Sequence, residues 1–171
     1  MGQKVNPTSL RVGINKYWQS TWFEKKDYST FLKEDYKIRN YIEKNYSIAG
    51  ISSVIIERAA ANLKIIIHTS KPGVLIGKKG ADIEKLRNRL SKLSDKSISL
   101  DIKEIKKPET DASLLADSIA RQLEKRVAFR KAMKKSGLSA IKLGAKGIKI
   151  VCGGRLGGAE IARTEKFSEG S

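Results

Sequence analysis

The sequence has one cysteine, one histidine and three prolines among 171 residues, and aromatic residues make up only 6% of it. The single Cys152 excludes an internal disulfide, and the single His68 excludes a zinc site built from several Cys and His ligands. No apolar run approaches the length of a membrane-spanning helix. The N-terminus, MGQKVNPTSL, lacks the apolar segment of a secretory signal. We therefore expect an intracellular protein with no metal, no cofactor and no membrane or small-molecule partner.

Acidic residues are also scarce: 18 Asp and Glu oppose 35 Lys and Arg, which gives a net charge of +17. Such an excess indicates a polyanionic partner, most often nucleic acid, with a membrane surface as the weaker alternative. The length allows one or two small domains.

Residues 1–28 are basic and show no sustained hydrophobic period, which predicts an extended N-terminal arm. Aromatic side chains alternate with basic ones in this arm, so they could stack on bases or anchor the arm to the protein's own core. We favour the anchor. The aromatic residues concerned are Tyr17, Trp18, Trp22 and Phe23.

Residues 29–106 combine helix and strand signals. Apolar residues at three- and four-residue spacing predict a helix over Ser29–Tyr46, and alternation predicts a strand over Ser97–Lys103. Two β-branched runs, Ile51–Glu57 and Leu63–Thr69, predict a hairpin, in which the lone His68 is interpreted as structural. A second helix follows the segment VLIGKKG, with Ile83, Leu86, Leu90 and Leu93 as its apolar stripe.

The G-x-x-G spacing occurs three times in the chain, but only Gly77/Gly80 lies between an apolar helical turn and an amphipathic helix. Glycines there would let a sugar-phosphate backbone approach closely. N–H groups at the start of the following helix, with Lys78 and Lys79, would face the phosphates. This is the construction of a KH module, which clamps single-stranded nucleic acid. The alternative is an ordinary connection with two solvated lysines.

Two other phosphate-binding motifs fit poorly. The spacing between Gly73 and Gly77 is one residue too short for a nucleoside-triphosphate loop, and Lys79 replaces its Ser or Thr. In GGRLGG, Arg155 replaces the second glycine of the dinucleotide motif. The order of elements instead predicts a type II KH domain, an α+β fold with a three-stranded sheet and helices on one face.

Residues 107–171 form a second predicted α/β domain, separated from the first by the linker Lys106–Pro108. Asp111 is a predicted N-cap for a long helical stretch. Its predicted buried stripe is Leu115, Ile119, Leu123 and Val127. Ser136 and Gly137 should weaken or break the helix, and Ile148–Cys152 should form a strand.

A basic cluster lies between Arg121 and Lys149, where ten Lys and Arg oppose one Glu. If one helix runs through VAFRKAMKK, Arg126, Arg130 and Lys134 share a face, with Lys131 and Lys135 beside them. Such a ridge should bind a polyanion, although a solvated face is the alternative.

Long segments of the sequence closely resemble the family of the third protein of the small ribosomal subunit, in its bacterial and organellar form. The resemblance extends from Gly2 to about Gly170. The segments that carry it include GQKVNP, W.STWF, IHTSKPGVLIGKKG, FRKAMK, LGAKGIK and GRLGGAEIART.

This resemblance implies a structural constituent of the small-subunit head that binds small-subunit RNA near proteins ten and fourteen. It also implies a place beside proteins four and five, at the channel through which messenger RNA enters, where Arg130, Lys131 and Lys134 would assist unwinding. Further RNA contacts are expected from Lys4, Arg11, Arg155 and Arg163.

Two departures from the family stand out. Lys131 occupies a position where relatives usually carry arginine, and lysine cannot form the bidentate fork to phosphate. Relatives also continue beyond Ser171 into further strands, so we expect an incomplete second domain with an exposed sheet edge.

Two other functions compete with the ribosomal one. A KH regulator or chaperone acting on free RNA is the main alternative, because the loop would suffice for it. An enzyme is not expected, since the sequence has no evident nucleophile–base pair or metal set, although it contains carboxylates such as Glu57 and Glu160.

Overall fold

The computed structural model describes Gln3 and residues 5–59, 62–94 and 96–170. The chain divides into two compact units, Met1–Glu104 and Ile105–Ser171. The first unit contains α1 (Pro7–Arg11), β1 (Ser20–Thr21), α2 (Tyr28–Asn45), β2 (Ile51–Ala59), β3 (Asn62–Thr69), α3 (Pro72–Ile76), α4 (Ala81–Leu90) and β4 (Ser97–Glu104). The second contains α5 (Ala112–Glu124), α6 (Phe129–Lys142), β5 (Gly147–Gly154) and β6 (Arg163–Gly170).

The first unit is built on a sheet with strand order β1-β2-β3-β4. Strands β2 and β3 are antiparallel, whereas β3 and β4 are parallel. The predicted α+β fold with a KH domain is confirmed. The sheet differs from the prediction in having a fourth strand, because the N-terminal segment pairs Ser20 and Thr21 in parallel with Ile56 and Glu57 of β2.

The core of the first unit lies between this sheet and its helices. On β3, alternate residues Leu63, Ile65 and Ile67 are fully buried, as the two-residue period of a strand requires. They belong to one cluster with Ile38 and Ile42 of α2, Leu75 of α3, and Leu86 and Leu90 of α4. Each helix contributes apolar residues from one face only, so its opposite face is exposed to solvent.

In the second unit, α6 packs against both strands of the antiparallel pair β5–β6, and α5 packs against α6. Its core cluster comprises Leu115, Ile119, Met133, Ala140 and Ile150. The predicted N-cap is confirmed, since the Asp111 side chain accepts hydrogen bonds from the backbone N–H groups of Ser113 (3.0 Å) and Leu114 (3.2 Å).

The prediction of one helix from Asp111 through the basic cluster is wrong, because α5 ends at Glu124. The Val127 N–H donates to Gln122 (3.0 Å) and the Arg126 N–H to Leu123 (2.8 Å), with Arg126 in the left-handed conformation (φ 58°). These bonds form a Schellman motif that terminates the helix. Val127, predicted to be buried, is consequently 37% exposed.

The predicted break at Ser136 and Gly137 is also wrong, because both residues are buried inside α6. A Cβ added to Gly137 would overlap the Phe167 ring of β6. The glycine is therefore explained by the close approach of this ring, which offsets its low helix propensity.

Candidate nucleic-acid interface

The turn Gly77–Gly80 joins α3 to α4 through residues with unusual backbone angles. Gly77 has φ 71° and ψ −175°, a region that is essentially restricted to glycine. A Cβ at this position would overlap the Asp82 side chain. Gly80 (φ 80°) and Lys79 (φ 53°) are both left-handed. The turn therefore depends on backbone conformation as well as on sequence spacing.

Lys78 and Lys79 are exposed at the tip of this turn. Gly80 occupies the N-cap position of α4, but it offers no side-chain hydrogen bond to the first N–H groups of the helix. Those N–H groups, together with the positive end of the helix dipole, favour an anion in front of the turn. Asp82 and Glu84 carry the opposite charge in the first turn of α4, and Lys85 pairs with Asp82 at 3.1 Å.

Apolar side chains lie directly before the lysines. Val74 and Ile76 of α3 are 44% and 40% exposed. An apolar surface beside a phosphate-attracting turn suits a single strand, whose bases present flat apolar faces.

The second candidate surface is the exposed face of α6, which carries Arg130, Lys131, Lys134 and Lys135 and is called the α6 basic surface below. Arg130/Lys134 and Lys131/Lys135 are each four residues apart on the same helix. The opposite face of α6 is buried. Among the described residues, no ion pair involves the three lysines, so the helix presents their charge to solvent.

Arg126 does not share this face, contrary to the prediction. It lies in the left-handed turn that ends α5, three residues before α6 begins. Its side chain is exposed, so it adds to the positive potential near α6 without belonging to the helical ridge.

Arg163 and Arg130 both pair with the carboxylate of Glu165 in β6, a residue that is not among the predicted site residues. The Glu165 Oε1 atom lies 3.2 Å from Arg130 Nη2 and 3.7 Å from Arg163 Nε. Both guanidinium groups also lie within 6 Å of the Phe129 ring, at 5.6 and 5.8 Å. The two-residue alternation Arg163-Glu165-Phe167 was the available signal, because it predicts that these three residues share a strand face.

The other predicted RNA contacts are dispersed. Arg11 is exposed in the last turn of α1. Arg155 is exposed in the glycine-rich turn after β5, where its Nε donates to the Ala159 carbonyl oxygen at 2.9 Å. Lys4 lies outside the described residues.

Within the N-terminal arm, Trp22 is an anchor. Its Nε1 donates to the Asp35 carboxylate at 2.8 Å, and Ser20 Oγ donates to the same oxygen at 2.7 Å. Asp35 is fully buried and also accepts from Arg58 Nη2 at 2.5 Å. Tyr17, Trp18 and Phe23, by contrast, are 90%, 69% and 81% exposed and anchor nothing.

Arg39 completes this attachment. Its guanidinium donates to the Gln19 carbonyl oxygen at 2.7 Å and to Ser20 Oγ at 2.8 Å. Partial burial lowers the pKa of Arg39, and the charges of Asp35 and Glu43 oppose that shift. Arginine nevertheless remains charged at neutral pH, so it holds the arm by charge-assisted hydrogen bonds.

The described residues contain neither a metal-binding cluster nor a membrane-spanning helix. No group of three or more His, Cys, Asp or Glu side chains there is placed to hold a metal ion. No helix in that part of the chain is long and apolar enough to cross a membrane.

Two family models match the chain. Residues 37–110 match a KH domain, and residues 119–171 match the C-terminal domain of ribosomal protein S3. The first match contains the Gly77–Gly80 turn, and the second contains the α6 basic surface.

Curated relatives match nearly the whole chain. Small ribosomal subunit protein uS3 of Geobacter sulfurreducens is 55% identical over 170 residues, which cover 99% of this chain and 81% of the relative. The proteins of the same name from Rhodospirillum centenum and Beijerinckia indica are 56% and 57% identical. These two alignments cover 99% of this chain and 76% and 71% of the relatives, respectively.

Proposed function

The chain belongs to the family of small ribosomal subunit protein uS3, and from this premise we propose which of its surfaces bind RNA and what they do there. As a member of that family it is a structural, non-enzymatic component of the small subunit of bacterial ribosomes, which act in the cytoplasm, and it binds ribosomal RNA. The single observation that supports an RNA-binding surface most directly is the uncapped, glycine-dependent turn that exposes Lys78 and Lys79.

We assign the functional regions as an arm (residues 1–28), a KH domain (residues 29–106) and a C-terminal domain (residues 107–171). In the KH domain, Gly77 and Gly80 admit a sugar-phosphate backbone while Lys78 and Lys79 neutralise its phosphates. Arg11 and Lys4 of the arm and Arg155 of the C-terminal domain make additional phosphate contacts. The partner in each case is small-subunit RNA.

The α6 basic surface contacts messenger RNA where it enters the subunit, beside proteins four and five. Proteins ten and fourteen are the neighbours on the RNA-bound side, in the head of the subunit. The support for a messenger contact is the density of unpaired lysine charge on one regular helix, because such a surface binds phosphates without reading sequence. Binding single strands at this helix would favour the unpaired state of a messenger hairpin, and translocation would supply the energy.

The ribosomal role is tested by sedimentation of a cell lysate. We expect the protein to migrate with small subunits, and its recovery mainly in ribosome-free fractions would instead support a free KH regulator or chaperone. That alternative requires only the Gly77–Gly80 turn, so it predicts no dependence on the α6 basic surface.

The messenger role is tested with the double variant Arg130→Ala and Lys131→Ala. We expect subunits containing it to assemble normally but to translate more slowly through stable hairpins than wild-type subunits do. Equal slowing on an unstructured messenger would argue against an unwinding role. Lys92→Ala with Lys142→Ala is a matched control, since it removes two exposed lysines outside the α6 basic surface.

A further inference from the structure

A groove of about 580 Å³ lies between the N-terminal arm and α2, within the first unit. Four of its lining residues are aromatic and two are aliphatic, and the others have short polar side chains or a glutamine amide. The aromatic members are Tyr17, Trp18, Trp22 and Tyr28, and the aliphatic ones are Val12 and Leu32. It is separate in sequence from the Gly77–Gly80 turn and from the α6 basic surface.

One part of this lining is rigid. Trp22 is fixed by its hydrogen bond to Asp35, and its ring packs against Tyr28 at a centroid distance of 5.3 Å and against Phe31 at 5.6 Å. Arg58 lies over Phe31 at 4.7 Å and over Trp22 at 5.9 Å. These contacts give Trp22 a structural role, so its presence in the groove requires no ligand to explain it.

The other part of the lining has no such explanation. Tyr17 is 90% exposed and Trp18 is 69% exposed, although both line the groove. Exposing large apolar side chains forgoes the stabilisation that their burial would give. Two neighbouring exposed rings beside one groove therefore indicate a surface that a partner covers.

The charge around these rings identifies the partner. The loop before Tyr17 is closed by hydrogen bonds from the Gly13 N–H to the Lys16 carbonyl oxygen (3.0 Å) and from the Lys16 N–H to Arg11 (3.0 Å). Arg11 and Lys16 are exposed, and in the sequence they are the immediate neighbours of the lining residues Val12 and Tyr17. Among the residues that the structure describes, no acidic side chain lines the groove. Aromatic rings flanked by cations are the arrangement that binds single-stranded nucleic acid, because bases stack on the rings while phosphates meet the charges.

We propose that this groove is a base-stacking site for single-stranded RNA. An unpaired base stacks on Trp18, with Tyr17 beside it in the lining, and Arg11 and Lys16 contact the phosphates on either side of the base. This inference rests on the proposed RNA-binding function and adds a site whose chemistry differs from that of the Gly77–Gly80 turn. That turn holds phosphates, whereas the groove holds a base.

The test is a fluorescence titration of the full chain with a single-stranded oligouridylate. Stacking of a base on an exposed indole quenches its emission, so we expect the wild type to be quenched. Trp18→Phe should lose this quenching but keep most of its affinity, because the phenyl ring still stacks. Trp18→Ala should bind about tenfold more weakly, in line with the stacking contribution of one base.

Phe23→Ala is the matched control, since Phe23 is 81% exposed in the same arm but does not line the groove. We expect this variant to bind and quench as the wild type does. A fully paired RNA duplex of the same length should not quench Trp18, because its bases are already stacked. If Trp18→Ala folds poorly, the comparison of the wild type with Trp18→Phe still decides the outcome.

Unchanged affinity of Trp18→Ala, or unchanged quenching in Trp18→Phe, would overturn the base-stacking site while leaving the RNA-binding function intact. A protein segment would then be the occupant of the groove. Failure of the wild type to bind oligouridylate or small-subunit RNA would instead overturn the proposed function itself.

Discussion

The Gly77–Gly80 turn and the α6 basic surface both present lysines to solvent, but they do so by different physical means. In the turn, Gly77 and Gly80 adopt conformations that disfavour other residues, and only two lysines lie between them. On α6, a regular helix carries four cations on one face, and no special backbone angle is involved. The first site therefore depends on shape and the second on the number of charges.

The two units that carry these surfaces also differ in how they are stabilised. The first unit holds its segments with a buried polar network around Asp35, in addition to an aliphatic core in which ten of twelve members are fully buried. The second unit has a smaller core, and four of its five members are 3–9% exposed. We expect single substitutions to have larger effects in the first unit, and the following predictions test that difference from the largest effect to the smallest.

Asp35→Ala should lower the free energy of unfolding of the first unit by about 3 kcal/mol, because the buried Arg58 loses the carboxylate that accepts from its Nε and Nη2 and keeps Glu34 as a counter-charge. The Arg58 side chain is only 2% exposed, so water cannot replace the carboxylate. Urea denaturation measures the change. Asp117→Ala in α5 is the control, since its ion pair with Arg121 is exposed and should contribute at most about 0.5 kcal/mol. Equal losses of stability in the two variants would contradict the expectation that substitutions in the first unit have the larger effects.

Gly77→Ala should distort the turn at a cost of about 1–3 kcal/mol, since φ and ψ there are essentially restricted to glycine. Although no charge is removed, we expect affinity for single-stranded RNA to fall, which a filter-binding titration would detect. Gly73→Ala provides a matched control, because Gly73 has no positive φ and an added Cβ meets no atom within 4 Å. If both variants bound RNA equally well, the turn would be a simple connection between helices.

Replacing Lys78 and Lys79 together by Asp should weaken RNA binding. It should also reduce the slope of the salt dependence by the equivalent of about two phosphate contacts. The parallel variant on α6, Lys134→Asp with Lys135→Asp, removes the same number of cations and should flatten the slope by a similar amount. The measurement is the logarithm of the binding constant against that of salt concentration. An unchanged slope for either variant would show that its lysines do not contact phosphate.

Arg126→Gly should stabilise the second unit by about 0.5–1 kcal/mol, because glycine adopts the left-handed C′ position of the Schellman motif without a Cβ penalty. Lys134→Gly should destabilise the same unit by a similar amount, since Lys134 lies inside α6. Thermal unfolding would reveal the opposite signs. A loss of stability in Arg126→Gly would mean that the Arg126 side chain makes a stabilising contact that outweighs the relief of strain.

Several elements could be predicted from the residues alone. Apolar spacing predicted α2 and α4, the β-branched runs predicted the β2–β3 hairpin, and Asp111 was correctly identified as an N-cap. These features depend on neighbours in sequence, so local patterns carry them. The site residues of the Gly77–Gly80 turn and α6 remain predictions about function, although the structure describes their geometry.

The end of α5 could not be predicted, because Arg126 occupies the position where glycine would normally signal a helix end. The role of Gly137 depends on the Phe167 ring, thirty residues away in the sequence. From its low helix propensity alone, Gly137 is expected to break the helix, whereas it lies inside α6.

What the sequence by itself determined is the excess of positive charge, the order of most elements, and the spacing of glycines and lysines in GKKG. These properties follow from composition and from contacts between near neighbours. The tertiary structure decided that Trp22 anchors the arm while Trp18 stays exposed, and that Glu165 joins Arg130 to Arg163. Each of these outcomes depends on a partner from a distant part of the chain, which only folding brings into contact.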